Sequence, residues 1–239
     1  MKEQHLDYVL VPIGLSVMVA YHAWLFYRIV TRPTATVIGL NAINRLIWVR
    51  TMMEDPAKYG VLSVQTLRNN IMASTLLAST AIMLSSLIAV LMTNGGGGRG
   101  GGEALILYGN TSDRWSSIKF FTILACFLLA FLLNVQSIRY YSHASILINV
   151  PIGKSRASSS SKQLLSAEYV AKAVNRGSSF WSLGLRCFYF SFPLFLWIFG
   201  PIPMFLSCFV LVFMLYFLDV TFDWGMGGGT EQELEEGRK

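Results

Sequence analysis

The chain has 239 residues, of which 54% are hydrophobic and only 13% are charged, and its mean hydropathy is +0.51. Soluble domains carry about a quarter charged residues, so this composition excludes a disordered chain and argues against a water-soluble domain. The formal net charge of +6 comes largely from cations that flank apolar runs, which favours the anionic surface of a membrane over nucleic acid as the partner.

Three apolar runs in the first 135 residues are long enough to cross the hydrocarbon core of a bilayer, which takes about 20 residues in a helix. They cover residues 8–27, 71–92 and 118–135, and none of them holds an acidic residue. Lys119 lies near the start of the third run, where we expect its ammonium group to extend outward to the interface. The sequence therefore predicts three membrane-spanning helices in this part of the chain.

The connection between the first two spans has its own helical pattern. Pro33 suits a first helical turn, and apolar residues then recur at helical spacing from Thr36 to Met53. This pattern predicts an amphipathic helix that ends before Glu54-Asp55-Pro56. Such a helix either lies in the cytoplasmic interface of the membrane or packs on the base of the bundle, and the sequence leaves both interpretations open.

The two later connections differ in character. Residues 93–117 hold the glycine run 95–102, which formally matches G-x-G-x-x-G, but no strand precedes it, so we interpret it as a flexible linker. The next connection contains the serine-rich run 155–161, and Ser166 is suited to cap a short helix through Arg176, with Gly177 as its stop. We expect this helix to be a second interfacial helix.

The last apolar region, residues 183–218, is too long for one crossing. As a single helix its 36 residues would measure about 54 Å, against a hydrocarbon core of about 30 Å. Gly200, Pro201 and Pro203 form a turn signal near its middle. The pattern favours a helical hairpin with spans at about 180–199 and 204–220, and the alternative is one long kinked helix, which would give four spans in all.

The charges between the spans predict the orientation. The connections between spans one and two and between spans three and four are rich in arginine and lysine, whereas residues 93–117 carry two arginines matched by two acids. The positive-inside rule places both basic connections in the cytoplasm and the glycine run outside. With five spans the N-terminus is outside and the C-terminus is cytoplasmic, in a plasma membrane or endomembrane.

The predicted fold is thus an all-α integral membrane helical bundle. It consists of one transmembrane domain over residues 1–222, with about five transmembrane helices (or four) and cytoplasmic interfacial helices, followed by an acidic flexible tail at 223–239.

Polar residues gather at the predicted cytoplasmic ends of the spans. The members of this candidate polar layer are Arg68, Asn69, Arg139, Arg186, Asp219 and Asp223. Because an unpaired charge is expensive to bury, we expect Asp219 to pair with one of the three arginines. One interpretation is an ion-pair network that holds the bundle together, and the other is a site for an anionic headgroup or metabolite.

Signals for chemistry are sparse. The three histidines and three cysteines are scattered without metal-ligand spacing, no nucleophile–base constellation appears, and no acid occupies the middle of a span. We therefore predict no catalytic, cofactor or metal site, and we expect His22 to form a hydrogen bond between helices. The functional hypotheses are a non-enzymatic membrane component that binds lipid or a protein partner and, alternatively, a small transporter or channel subunit acting as a homo-oligomer.

Four short runs carry a family resemblance. They are Val64–Asn69, Ile146–Pro151, Leu196–Pro201 and Leu218-Asp219. In this order they resemble the domain of unknown function 599 family, over about residues 6–222. The resemblance implies a plant-type membrane protein with several spans, and this family has no established activity to carry over.

Overall fold

A computed structural model describes residues 2–95, 113–150 and 159–220, and nearly all of these residues are helical. The helices in chain order are α1 (Lys2–Thr31), α2 (Val37–Glu54), α3 (Pro56–Gly95), α4 (Asp113–Leu147), α5 (Ser159–Leu196) and α6 (Pro201–Asp219). A short 3₁₀ turn, Pro33–Ala35, precedes α2. The described residues contain no β-strand beyond a single bridge between Thr36 and Val220, so the predicted all-α class is confirmed.

Four helices of the described chain are long and apolar enough to cross a membrane, over Leu6–Thr31, Pro56–Met92, Trp115–Leu147 and Pro201–Asp219. This finding supports a multi-pass membrane protein and agrees with the alternative count of four spans. The fifth predicted span, at about 180–199, forms the second half of α5 and is not among the four. Arg186 lowers the mean hydropathy of this segment, and the five-span count stays a prediction.

The last apolar region turns where the sequence predicted it. Helix α5 ends at Leu196 and α6 begins at Pro201, so the alternative of one long kinked helix is wrong. Gly200 between them has φ 151°, a conformation that side chains with a Cβ rarely adopt. Pro201 then supplies a backbone already shaped for the first helical turn, because its φ is restricted to the helical range.

Contacts at the two ends of the bundle give the course of the helices. At one end, the Trp197 Nε1–H after α5 donates to Asp7 Oδ1 of α1 at 3.2 Å, and the Trp115 ring of α4 lies 5.3 Å from that of Tyr8. At the other end, the Thr36–Val220 bridge joins the segments that follow α1 and α6. Helices α1, α4 and α6 therefore run away from the first end, and α5 runs toward it. Gly60, near the start of α3, approaches Asn149, which follows α4, so α3 runs in the same direction as α5.

Lys119 is placed differently from the prediction. It is only 7% exposed, and its Nζ lies 5.3 Å from the centre of the Trp197 ring instead of extending outward. Burial disfavours the charged form of Lys119, and the Asp7 carboxylate and the face of the indole ring offset part of that cost. The interior therefore holds a charged side chain at this end as well.

Three clusters of buried apolar residues form the core of the described bundle. The first joins α2 to the ends of α3, α4 and α5, and the second joins α1, α3, α4, α5 and α6. The third is small and joins α1 to α6 through Tyr21, Leu25 and Leu215. Helix α2 buries Val49, Met52 and Met53 in the first cluster, so it packs on the base of the bundle, one of the two predicted interpretations. Leu40 and Ile47 remain exposed on α2, and its contact with the membrane interface stays a prediction.

Helix α5 is much longer than the predicted helix of residues 166–176, because it runs on through Gly177, which is not a stop. A Cβ on Gly177 would lie 3.2 Å from the Tyr141 ring, and the Gly177 carbonyl accepts a hydrogen bond from Ser137 Oγ at 2.8 Å. The missing side chain lets α4 and α5 approach closely, and the packing they gain outweighs the weak helix propensity of glycine.

Ser137 is the polar link between three helices in the membrane-spanning part. It donates its hydroxyl proton to Gly177, so Ser74 Oγ of α3, 3.1 Å away, must be the donor to Ser137. We expect Ser137→Ala to lower the free energy of unfolding in detergent by about 1 kcal/mol, because both bonds are lost. The control is Ser86→Ala, which removes only an exposed hydroxyl bonded to its own helix, and an equal effect of the two would contradict the proposed link.

Candidate functional site

Four polar side chains from three helices meet inside the bundle, and we call them the buried cluster: Tyr21, His22, Arg186 and Asp219. Arg186 Nη2 donates to Asp219 Oδ1 at 2.6 Å, and Tyr21 Oη donates to Asp219 Oδ2 at 2.7 Å. The side chains of the ion pair are only 13% and 9% exposed. The cluster therefore connects α1, α5 and α6 through both oxygens of one carboxylate.

The geometry also defines the state of His22. Its Nδ1 lies 2.8 Å from the Met18 carbonyl oxygen, which only accepts, so Nδ1 carries a proton. Nε2 lies 3.4 Å from Arg186 Nη1, which only donates, so Nε2 is the acceptor and the imidazole is neutral. The predicted bond between helices is thus a contact of His22 with the arginine of α5.

The buried cluster is internally balanced. One positive and one negative charge cancel, and each of the four side chains uses another as its partner. A buried ion pair is costly to desolvate and is tolerated when its hydrogen bonds are satisfied, as they are here. Within the described residues, no three His, Cys, Asp or Glu side chains are placed to hold a metal ion. This arrangement suits the joining of helices better than the binding of an external anion.

The other members of the candidate polar layer lie elsewhere. The bonds from Ser74 to Ser137 and from Ser137 to Gly177 set a common level on α3, α4 and α5. On α3, Arg68 lies six residues before Ser74, toward one end of the bundle. On α5, Arg186 lies nine residues after Gly177, toward the other end. At the rise of a helix, these fifteen residues separate Arg68 from Arg186 by about 22 Å along the bundle. The predicted residues therefore do not form one layer, and Asp223 lies outside the described residues.

Arg68 and Asn69 instead line a groove of about 640 Å³ where the start of α3 meets the end of α4. Its lining residues, which define the α3–α4 groove, are Gly60, Val61, Val64, Gln65, Arg68, Asn69, Met72 and Asn149. The groove combines amide and guanidinium groups with apolar side chains and has no acidic residue in its lining. Arg139 is exposed on α4 and does not line it.

Arg45 is a structural arginine. Its Nε donates to Asn175 Oδ1 at 2.7 Å, and Asn175 Nδ2 donates to the Ala42 carbonyl at 3.1 Å. These bonds attach α2 to α5, and burial lowers the pKa of the Arg45 guanidinium from its usual value. Arg45 is therefore committed to packing and is a poor candidate for binding a lipid.

Cations are concentrated where α1 and α4 finish and α3 and α5 begin, which we call the basic end. Its described side chains include Arg28, Arg32, Arg45, Arg50, Lys58, Arg68, Arg139, Lys172 and Arg176. The described acids there are Glu54, Asp55 and Glu168, of which Glu168 pairs with Lys172 at 3.5 Å. The described part of the bundle is thus strongly asymmetric in charge.

Sequence reasoning missed Tyr21 and Gly184. A Cβ on Gly184 would lie 2.5 Å from Asn134 Nδ2, so this glycine allows α4 and α5 to touch two residues before Arg186. The sequence did contain one indication of the role of Tyr21. It lies next to His22 in an apolar run, and adjacent polar groups in a span are candidates for contacts between helices.

The bundle matches one family model. The family is described as "Protein of unknown function, DUF599", and the match covers residues 9–224. No curated protein and no solved structure matches the chain. The matched range includes the buried cluster and the α3–α4 groove, so both features belong to the part of the chain that the family shares.

Proposed function

Because the chain belongs to the DUF599 family, whose description names no activity, we propose its function from its geometry: it is a non-enzymatic membrane protein whose basic end binds anionic lipid. Orientation follows from the same proposal. The basic end faces the cytoplasm, five spans place the N-terminus outside, and α1, α4 and α6 run toward the cytoplasm.

The charge asymmetry of the bundle is the observation that carries this proposal. Exposed cations at the basic end include Arg50, Lys58, Lys172 and Arg176, and they outnumber the acids there. Basic side chains next to membrane spans are attracted to anionic headgroups, and each contributes about 1 kcal/mol near such a surface.

Helix α2 supports the same proposal. While one of its faces is buried, it exposes Leu40, Ile43 and Ile47, and Arg50 follows about one turn later. Exposed apolar residues beside a cation are typical of a helix that contacts the headgroup region. A protein partner that covers this face is the other outcome that a binding experiment on α2 would detect.

The test measures lipid preference in the purified full chain. Protein in neutral detergent is offered equal amounts of phosphatidylglycerol and phosphatidylcholine, and native mass spectrometry counts the bound lipids. Replacing Arg50, Lys58, Lys172 and Arg176 together by glutamine should lower phosphatidylglycerol binding several-fold and leave phosphatidylcholine binding unchanged, because only the net charge is altered.

The matched control keeps the charge. Arg50→Lys with Arg176→Lys should retain the preference for phosphatidylglycerol, since the electrostatic attraction depends on charge and not on the guanidinium shape. If the glutamine variant binds phosphatidylglycerol as well as the unaltered chain does, the proposal is overturned.

The competing hypothesis is a transporter or channel subunit. A cavity of about 590 Å³ opens between α3, α4, α5 and α6, but its lining is almost entirely apolar, with Phe127, Phe188 and Met214 among the residues. Such a lining offers few hydrogen bonds to a hydrated solute, so transport would need a pathway between copies of the chain. Solute flux into vesicles that contain the protein would favour this hypothesis.

A further inference from the structure

The exposed face of α3 changes character near the basic end. Val61, Gln65, Arg68 and Met72 follow each other at spacings of three and four residues, so they share one face of the helix. Val61 is 81% and Met72 is 61% exposed, and the polar pair between them is exposed as well. A polar spot thus interrupts an apolar, exposed stripe at the position of the α3–α4 groove.

Arg68 brings an unbalanced charge to this groove. Among the residues that the structure describes, it forms no ion pair, in contrast to Arg186. The amides of Gln65, Asn69 and Asn149 line the same groove and add hydrogen-bond donors around the guanidinium group. The set of one cation and three amides without a carboxylate suits a phosphate group.

Gly60 shapes the groove at the end of α4. A Cβ at this position would lie 3.0 Å from Asn149 Oδ1, so the absence of a side chain lets Asn149 approach α3. Asn149 and Arg68 belong to two of the runs that carry the family resemblance, and the fold brings these runs together here. The groove is therefore formed by the meeting of two distant segments.

The position of Arg68 along α3 indicates the source of the phosphate. No charged residue follows it until Arg99, and the apolar stretch 71–92 measures about 33 Å as a helix, close to the hydrocarbon thickness. Arg68 therefore lies one turn beyond that stretch, where phospholipid headgroups lie. Met72 continues the groove toward the hydrocarbon, as an acyl chain requires.

We propose that the α3–α4 groove binds the phosphate of one anionic phospholipid, with Arg68 as its charge partner and the amides of Gln65, Asn69 and Asn149 as donors. This site rests on the proposed function but is more specific, because it assigns one retained lipid to one groove. The cations on the rest of the basic end attract lipid without defining a position.

The experiment counts tightly bound lipid. The purified full chain is equilibrated with phosphatidylglycerol in detergent, excess lipid is removed, and native mass spectrometry records the fraction that keeps one lipid. Arg68→Gln should lower this fraction several-fold. Arg139→Gln removes the same charge from an exposed position of the basic end outside the groove, so it should lower this fraction much less, and equal losses in the two variants would overturn the site.

Two further measurements distinguish a lipid phosphate from free phosphate and a failure of the groove proposal from a failure of the proposed function. Inorganic phosphate added in excess should not displace the lipid; if it does, the groove binds free phosphate and the lipid assignment is wrong. Gly60→Val, which fills the groove without changing the charge, should also lower the retained fraction. If Arg68→Gln has no effect while the four-residue glutamine variant loses its lipid preference, the groove proposal fails and the proposed function survives.

Discussion

Replacing Arg186 with leucine is expected to lower the free energy of unfolding of the detergent-solubilised protein by about 3–5 kcal/mol, the cost typical of leaving a buried charge unpaired. Asp219 is only 9% exposed on its side chain, and the change removes the donor 2.6 Å from its Oδ1. Loss of helical circular dichroism during titration with a denaturing detergent would measure the difference.

A double-mutant cycle tests whether the effect comes from the pair itself. Asp219→Asn removes the negative charge and keeps acceptor and donor groups, so the combination with Arg186→Leu should cost clearly less than the two single losses added together, by about 0.5–3 kcal/mol. The control is Arg139→Leu, an exposed arginine that should change stability little. Strictly additive effects of Arg186→Leu and Asp219→Asn would argue against direct pairing.

Gly184→Leu is expected to destabilise the bundle by about 1–3 kcal/mol, the usual cost of overpacking. The new Cβ would lie 2.5 Å from Asn134 Nδ2, and Asn134 cannot easily move away because it is fully buried and donates to the Ala130 carbonyl at 2.8 Å. Helix propensity alone predicts the opposite sign, since glycine is the poorer helix former. The same unfolding titration decides between the two.

Two companion variants make this result specific. Ser179→Leu adds a leucine to the exposed face of the same helix and should be nearly neutral. Asn134→Ala, combined with Gly184→Leu, creates space for the new side chain and should restore a large part of the loss. If the double variant is as unstable as Gly184→Leu alone, the close approach of Asn134 to Gly184 is not the reason that the leucine destabilises the bundle.

Local signals in the sequence predicted the helix between the first two spans and the break between α5 and α6. The helix expected over Thr36–Met53 is found at Val37–Glu54, and the Thr36 side chain accepts from the Gly39 amide at 3.3 Å as its cap. The break at Gly200 was also predictable, because φ at glycine and proline depends on the residue itself. Signals of this kind act over a few residues and need no knowledge of distant contacts.

Gly177 and Lys119 show where local signals mislead. Gly177 has the usual mark of a helix end, but the packing of Tyr141 and the bond from Ser137 keep α5 continuous. Lys119 has the usual mark of a cation that reaches for the interface, yet the ring of Trp197 holds it inside. In both cases the deciding partner is on another helix, so no pattern near the residue itself could reveal it.

The sequence by itself determined that this chain is an all-α membrane protein and where its last hairpin turns, because apolar length and backbone restriction are properties of single segments. Only the tertiary structure decided that Asp219 pairs with Arg186 while Arg68 lies about 22 Å away in a groove with Asn149. The physical reason is that pairing depends on how far each helix slides and rotates against its neighbours. Contacts such as that between Ser137 and Gly177 set those displacements across distant parts of the chain.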